Sequence, residues 1–266
     1  MIHETAIVDG RAEIGDGCAI GPYSVVEADV RIGDGCAIGP HVHVRRYTTL
    51  GPRCRVHAGA VLGDEPQDTA FKPCRSEARI GAGCVIREGV TIHRGTHADT
   101  ATVIGEGCFL MGCSHVAHNV TLGQGVIVAN GALLAGYVEV GDRAFISGNC
   151  LVHQFVKIGR LVMMGGGAAA TRDIPPFCLL PPLSLNCVKG LNVVGMRRAG
   201  LSSAERREIR EAFRLLYQSG LMPPEAAARI RERFVSGPAL EYPAFIERST
   251  LGLCRLARKG AETDDA

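Results

Sequence analysis

Large aliphatic residues recur at every sixth position of this chain from Ile2 to Met164. Of the 28 positions in that series, only Asp68, Cys74 and Ala98 are not large and aliphatic. A period of six matches neither the 3.6-residue period of a helix nor the two-residue period of an ordinary strand. It is typical of a parallel β-helix, in which three hexads of about 18 residues form one triangular coil and successive coils share one core.

A second inward position supports this interpretation. The residue two places before each aliphatic is small or β-branched, which suits a narrow interior; examples are Ala12, Ser24, Val42, Thr48 and Ala60. Glycine often follows the aliphatic residue, as at Gly51, where a side chain would crowd a tight bend. The sequence therefore predicts a mainly β fold, a hexapeptide-repeat solenoid, followed by a small C-terminal α-helical region.

Two segments interrupt the repeat before it ends. Residues 63–79 carry two prolines, mixed charge and no inward periodicity, which predicts an excursion loop from the solenoid. A shorter break covers residues 97–102, and prolines within 175–182 end the repeat. We therefore predict a β-helical domain over residues 1–182.

Residues 183–266 are predicted to form a linker and a C-terminal α-helical domain. The linker extends to residue 200, after which Ser202 and Glu205 form a capping box that begins a helix. Further helices are expected to begin at Pro223 and near Pro243.

Composition narrows the class of protein. The chain has 266 residues and a formal net charge of +2, so charge gives no reason to expect a nucleic-acid or anionic-membrane partner. No apolar run approaches the ~18 residues of a membrane span, and the first residues lack the features of a signal peptide. We therefore expect a cytoplasmic protein without a membrane span.

Cysteine is frequent, with eleven residues, but the spacing favours core packing over chemistry. Six cysteines occupy the small inward position: Cys18, Cys36, Cys54, Cys84, Cys108 and Cys150. No CxxC pair is present, so the pattern predicts no metal site.

The coil length predicts which residues lie above one another. His118, Gly136 and Gln154 are spaced by 18, which places them in one column on successive coils about 4.8 Å apart. His153 belongs to the adjacent column. Although a lone histidine is more often structural than catalytic, an imidazole beside an unencumbered backbone N–H suits acyl transfer. The imidazole can take a proton from an attacking hydroxyl or amine, while the N–H stabilises the oxyanion.

Several motifs accompany this column along essentially the full length of the chain. They are Pro66-Gln67-Asp68, Thr91-Ile92-His93-Arg94-Gly95-Thr96, Ser114-His115-Val116-Ala117-His118-Asn119, Leu134-Ala135-Gly136, Val152-His153-Gln154-Phe155, Gly190-Leu191-Asn192, Gly195-Met196-Arg197-Arg198 and Arg248-Ser249-Thr250-Leu251-Gly252-Leu253. Together they resemble the cytosolic UDP-N-acetylglucosamine acyltransferases that start lipid A synthesis in Gram-negative bacteria.

This resemblance implies a left-handed solenoid and a homotrimer with active sites between subunits. The implied reaction transfers a 3-hydroxyacyl chain from an acyl carrier protein thioester to the 3-hydroxyl of UDP-N-acetylglucosamine, the first step of lipid A biosynthesis. No cofactor is implied beyond the acyl carrier protein that donates the chain.

The resemblance also implies roles for individual residues. His118 is the general base, and Gly136 supplies the oxyanion N–H. Residues implied to bind the substrates are Gln67, Asp68, His93, His115, Asn119, His153, Gln154, Asn192 and Arg198. Arg198 would approach the phosphates of the nucleotide or of the carrier's arm, which its planar fork suits. Met163 and Gly166 match the region that measures the acyl chain, where a bulky residue would shorten the pocket.

Structural roles compete with these assignments. His93 and His153 would otherwise satisfy neighbouring backbone groups, Arg198 would be a charge beside a helix, and Asp68 would be a turn residue. Asn119 stands where the family has Asp or Asn.

Three positions depart from the family's pattern. Ala70 stands where a lysine is usual, with Lys72 two residues on, and Tyr137 replaces a usual histidine. Ala199 stands where a second arginine is common. These departures fall on nucleotide and acyl-chain contacts and leave the base in place.

Three other functions are compatible with parts of the pattern. An N-acyltransferase acting on a 3-amino UDP-sugar, or on another UDP-sugar of the same pathway, would use the same base. A γ-carbonic-anhydrase-like zinc enzyme would need converging histidines, for which His93, His115 and His118 are available but poorly spaced. A non-catalytic assembly scaffold is the third.

Overall fold

The computed structural model of the chain describes residues 1–257 and shows a three-sided parallel β-helix followed by short helices. The strands, numbered in chain order, rotate through three faces, and each pairs in parallel with the strand one coil above it. The polar end of the predicted helical domain, residues 258–266, lies outside the described residues.

Each face is one sheet. The first face contains β1 (Ile7–Val8), β4 (Val25–Val26), β7 (His43–Val44), β10 (Val61–Asp64), β13 (Thr91–His93), β16 (His115–Val116), β19 (Leu133–Leu134), β22 (Leu151–Val152) and β25 (Ala169–Ala170). The second face contains β2 (Glu13–Ile14), β5 (Arg31–Ile32), β8 (Thr48–Leu50), β11 (Glu77–Ile80), β14 (Ala101–Ile104), β17 (Thr121–Leu122), β20 (Glu139–Val140) and β23 (Lys157–Ile158). The third face contains β3 (Ala19–Ile20), β6 (Ala37–Ile38), β9 (Arg55–Val56), β12 (Val85–Ile86), β15 (Phe109–Leu110), β18 (Ile127–Val128), β21 (Phe145–Ile146), β24 (Met163–Met164), β26 (Cys178–Leu180) and the antiparallel β28 (Gly190–Leu191).

The hexad aliphatics form the core, as the period predicts. From Ile20 onward they point inward and are almost fully buried, and the small residues two places earlier fill the remaining space. Ile2, at the open end of the first coil, is half exposed. At Gly51 a Cβ would lie 2.6 Å from the backbone nitrogen of Ala82 on the next coil. The repeat therefore needs glycine at this bend because the coils stack too closely for a side chain.

The six inward cysteines are buried free thiols. Each thiol donates a hydrogen bond to the carbonyl of a glycine on the following coil, as Cys108 does to Gly123 at 3.1 Å. Their role is packing, as predicted.

The two interruptions keep the repeat in phase because their lengths are whole numbers of hexads. Partners across the first break, such as Arg55 and Val85, lie 30 residues apart, while Thr91 and His115 across the second lie 24 apart. On the other coils as far as β25 partners lie 18 apart, and on the last coil, where the repeat ends, Met163 and Leu179 lie 16 apart. The insertions therefore add twelve and six residues. Strands β10 and β11 extend into the predicted excursion, which leaves residues 65–76 without regular structure.

The helices follow the last coils. They are α1 (Val193–Arg198), α2 (Ser203–Tyr217), α3 (Pro223–Arg233) and α4 (Glu241–Arg248), with a 3-10 turn at Pro238–Leu240. The capping box of Ser202 and Glu205 is present, and α4 begins two residues before Pro243. A parallel pair of β27 (Cys187–Val188) and β29 (Arg255–Leu256) joins the segments on either side of the helices.

Helix α1 corrects the prediction that residues 183–200 are only a linker. It has six residues, too few for a clear hydrophobic period, and depends on its cap at Asn192.

Candidate active site

His118 lies at the corner between the first and second faces, in the turn that follows β16. The parallel register joins Val116 to Leu134 and Leu134 to Val152, so the corner residues that follow them also stack. His118, Gly136 and Gln154 therefore form one column, as their spacing predicts.

The imidazole of His118 covers Gly136. A Cβ placed on Gly136 would lie 2.6 Å from Nε2 and 3.0 Å from Nδ1 of His118, so only glycine leaves room for the ring. The backbone N–H of Gly136 makes no hydrogen bond to any residue within 1–257. The base and the free donor that an acyl-transfer step requires are thus next to each other.

Asn119 orients the imidazole. Its side-chain oxygen lies 3.1 Å from Nδ1 of His118 and 3.0 Å from both the backbone nitrogen and the hydroxyl of Thr96. The ring of Tyr137 meets His118 edge-on at 5.3 Å, and its hydroxyl lies 2.8 Å from that of Thr96. These contacts leave Nε2 as the nitrogen available for chemistry.

Two further histidines lie beside His118. Nδ1 of His115 is 2.7 Å from the hydroxyl of Thr91, and His93 packs edge-on against His115 at 4.8 Å. Burial, with a smaller contribution from the charge of His115, lowers the pKa of His93 from 6.5 to about 4. Burial and then the charge of His118 also lower the pKa of His115. Near neutral pH the pair is therefore uncharged.

The column opens into a cavity of about 530 Å³ on the first face. Of the predicted site residues, it is lined by Gln67, His115, His118, Gly136, His153 and Gln154. Its apolar wall includes the half-exposed side chains of Leu133 and Leu151. His153 donates from Nδ1 to the carbonyl of Gln154 at 3.1 Å, so it has a structural hydrogen bond as well as a place in the wall.

Three other predicted residues line a different cavity. A groove of about 850 Å³ on the third face contains Met163, Asn192 and Arg198. Asn192 caps α1 by accepting from the backbone of Gly195 at 2.9 Å, and it donates to the carbonyl of Leu161 at 2.8 Å. Arg198 is exposed and forms no ion pair with a residue of the described chain.

Four predicted residues line neither cavity: His93 and Asn119, which pack behind the wall against His115 and His118, and Asp68 and Gly166. Asp68 accepts from the backbone nitrogen of Ala70 at 2.9 Å, which is the turn role that competes with substrate binding. Gly166 lies on the corner three residues beyond Met163.

Sequence reasoning missed Thr96 as a site residue. It lies in the motif Thr91–Thr96 but inside a segment where the repeat is interrupted, so the 18-residue spacing cannot assign its neighbour. For Tyr137 the sequence indicates only a departure from the family's usual histidine. Over residues 1–257, no group of three or more histidine, cysteine, aspartate or glutamate side chains is arranged to hold a metal ion.

Comparison with known proteins decides the family. An acyl-[acyl-carrier-protein]–UDP-N-acetylglucosamine O-acyltransferase of Chlorobaculum parvum is 50% identical over 240 residues, covering 90% of this chain and 91% of the relative. This chain belongs to the UDP-N-acetylglucosamine O-acyltransferase family. The family model for the second domain of these enzymes matches residues 173–254, and the bacterial transferase hexapeptide model matches residues 11–46, 29–64 and 101–136.

Solved structures of the O-acyltransferase family agree. LpxA of Bacteroides fragilis superposes with a TM-score of 0.89 at 35% identity, covering 96% of this chain and all of that one. The enzyme of Moraxella catarrhalis gives 0.91 at 34% identity, covering 96% of this chain and 99% of that one. The predicted fold, a left-handed parallel β-helix with a C-terminal helical region, is confirmed.

Membership of the O-acyltransferase family also settles the class of protein. The chain is an acyltransferase, as predicted. The zinc-enzyme and scaffold alternatives are not supported by any of these relatives. Among residues 1–257, no helix combines the length and apolar character needed to cross a bilayer.

Proposed function

We propose that this chain transfers a 3-hydroxyacyl group from an acyl carrier protein thioester to the 3-hydroxyl of UDP-N-acetylglucosamine, the first step of lipid A biosynthesis. The observation that carries the proposal is the pairing of His118 with the free N–H of Gly136 inside a cavity large enough for part of a sugar nucleotide. Relatives named for this reaction cover most of the chain.

Each group has a defined task in this reaction. Nε2 of His118 takes the proton from the 3-hydroxyl as the sugar oxygen attacks the thioester carbonyl carbon. The N–H of Gly136 donates to the oxygen that becomes negative in the tetrahedral intermediate. When the carbonyl reforms, the C–S bond breaks, and the imidazolium of His118 returns the proton to the carrier's thiolate. The products are an ester and a free thiol.

The surroundings of His118 suit a polar acceptor. Gln67 reaches the cavity from the excursion loop, and Gln154 lies on the coil beyond Gly136. The neutral imidazoles of His93 and His115 add no positive charge that would oppose proton uptake by His118. We assign acceptor binding to this cavity.

We assign the acyl chain and the carrier's arm to the groove on the third face. Its wall is largely apolar, with Met163 and Leu179 among the lining residues, and Arg198 at its edge is available for a phosphate. The groove and the His118 cavity lie on different faces of the prism. A homotrimer that packs the first face of one subunit against the third face of the next would join them.

Exposed apolar residues support that trimer. Leu133, Leu151 and Phe155 on or beside the first face are 43%, 52% and 46% exposed, and a neighbouring subunit would cover them. A cytoplasmic location is also part of the proposal, because all eleven cysteines are free thiols, as expected in a reducing compartment.

The test is a substrate panel. The purified chain is given 3-hydroxyacyl and unsubstituted acyl carrier thioesters of several lengths, with UDP-N-acetylglucosamine or its 3-amino analogue, and the products are identified by mass. We expect an ester at the 3-hydroxyl, and a fall in kcat of at least about 1,000-fold for His118→Ala. The trimer is checked separately by light scattering.

Other products would change the conclusion. An amide formed only from the 3-amino sugar would replace O-acylation by N-acylation. Absence of acyl sugar from every pair of substrates would refute the proposal, as would full activity of the His118→Ala protein.

A further inference from the structure

Three hydrogen-bonding groups converge on one atom next to the proposed base. The backbone N–H of Thr96, the hydroxyl of Thr96 and Nδ1 of His118 lie 3.0, 3.0 and 3.1 Å from the side-chain oxygen of Asn119. Thr96 is only 4% exposed, so these bonds are largely shielded from water. The arrangement determines which nitrogen of His118 carries hydrogen.

The backbone N–H of Thr96 fixes the orientation of the Asn119 amide. An N–H group can only donate, so the amide atom of Asn119 that faces the backbone of Thr96 must be the oxygen. Nδ1 of His118 faces the same oxygen and must therefore be the protonated nitrogen. Nε2 is left with its lone pair, and no residue among 1–257 donates to it.

We propose that Thr96 is a positioning residue, which holds the amide of Asn119 and thereby fixes His118 in the Nδ1–H tautomer. This proposal rests on the proposed function, in which Nε2 of His118 accepts the proton. If the side-chain amide of Asn119 were rotated by about 180°, its NH2 group would face Nδ1 of His118. The hydrogen would then move to Nε2, and the base would have no lone pair for the substrate hydroxyl.

Tyr137 completes the chain of donors. Its hydroxyl lies 2.8 Å from that of Thr96, whose single hydrogen is given to Asn119, so the Tyr137 hydroxyl donates to Thr96. The tyrosine ring is held between His118, edge-on at 5.3 Å, and Phe155, stacked at 5.0 Å. Tyr137 thus supports Thr96 through its hydroxyl, and its ring is fixed by these two aromatic contacts.

The test compares Thr96→Val with Thr96→Ser in the full-length chain, using the acyl carrier thioester and UDP-N-acetylglucosamine. Valine removes the hydroxyl and keeps the shape, while serine keeps the hydroxyl. We expect Thr96→Val to lower kcat by about tenfold, a typical effect of an outer-shell partner, with KM for both substrates within twofold of wild type. We expect Thr96→Ser to retain the kcat of wild type. Tyr137→Phe keeps the ring stack and removes only the hydroxyl, so it should lower kcat by a smaller factor. This variant provides the test if Thr96→Val does not fold.

The second readout is the tautomer itself. In protein labelled with 15N-histidine, the His118 resonances are identified by their loss in His118→Gln. We expect wild type to show hydrogen on Nδ1. In Thr96→Val only the backbone N–H of Thr96 still holds the amide of Asn119, so we expect a larger fraction with hydrogen on Nε2 than in wild type. A role of Thr96 in stability alone would change the melting temperature without changing the tautomer.

Several results would overturn the positioning role: hydrogen on Nε2 of wild-type His118, an unchanged kcat in Thr96→Val, or a loss in Thr96→Ser equal to that in Thr96→Val. These differ from failure of the proposed function, in which the wild-type chain itself forms no acyl sugar.

Discussion

The imidazole of His118 occupies the space that a Cβ atom on Gly136 would need, with Nε2 2.6 Å and Nδ1 3.0 Å from that position. The two residues lie on successive coils, so the stacking distance of the solenoid sets their separation. One parallel register therefore places the base and the oxyanion donor together.

Gly136→Ala tests this relationship. The backbone at Gly136 does not have a positive φ, so alanine is compatible with the turn and only the imidazole must move. We expect kcat to fall by about 100-fold, because small displacements of a base cost that much. The measurement is steady-state kinetics, together with a thermal melt.

Gly10→Ala is the matched control for Gly136→Ala. A Cβ at Gly10 meets nothing within 4 Å, so this variant should behave as wild type. Wild-type kcat in Gly136→Ala would show that His118 does not act from its observed position.

Gly166→Met tests the measurement of the acyl chain, a role that comes from the family resemblance because Gly166 itself lines neither cavity. A Cβ on Gly166 would meet only the carbonyl of Gly148, at an ordinary 3.7 Å, so the fold tolerates a side chain there. We expect the preference between two donors that differ by several methylenes to shift about tenfold or more toward the shorter one. Competition between the donors, analysed by mass, measures the ratio.

Gly10→Met, which is remote from both cavities, should leave the donor preference of wild type. An equal loss of activity toward short and long donors in Gly166→Met would argue against a role in chain length.

Substitutions of Asn192 and Arg198 are predicted to have different effects, on stability and on substrate binding respectively. Asn192→Ala removes the cap of α1 and the bond to Leu161, so we expect a loss of about 1–2 kcal/mol in the free energy of unfolding. Arg198→Ala removes an exposed cation and should change stability by no more than about 0.5 kcal/mol, while raising KM for the carrier thioester. Urea unfolding and kinetics on both variants give the comparison.

One result for Arg198→Ala would contradict a role of Arg198 in substrate binding. An unchanged KM for both substrates would make Arg198 a surface charge beside a helix, the structural role considered from the sequence.

His93 makes stability dependent on pH. Its pKa is about 4 in the folded chain against 6.5 for an ordinary histidine, so below pH 6.5 the unfolded chain takes up a proton that the folded chain does not. The contribution of His93 to the free energy of unfolding is fully present above pH 6.5 and is lost as the pH falls toward 4. At pH 5 the loss is about 2 kcal/mol. Urea unfolding at pH 7 and pH 5, at one protein concentration, measures it.

His93→Gln should lack this part of the pH dependence. Titration of other groups is shared by both proteins and cancels in the difference between them. If wild type and His93→Gln lose the same free energy from pH 7 to pH 5, His93 is protonated in the folded chain.

The regions of the chain differ in how much of their structure the sequence predicts, and the reason is physical. Where the repeat is unbroken, the 18-residue coil predicted that Gly136 follows His118 in one column, and this is confirmed. The short helix α1 was missed because six residues are too few to show a hydrophobic period, and its stabilising contacts, the Asn192 cap and the bond of Asn192 to Leu161, are visible only in the structure. Asp68 and Gly166, which came from the family resemblance, line neither cavity.

The sequence by itself determined the solenoid, its inward side chains and the stacking of its unbroken coils, because each depends on a local period that one chain repeats. Only the tertiary structure decided that Thr96 meets Asn119 beside His118. The break before β14 adds six residues to a coil, and the path of such an insertion depends on what it packs against. The pairing of His118 with Gly136 could therefore be predicted from the sequence, whereas the position of Thr96 beside that pair could not.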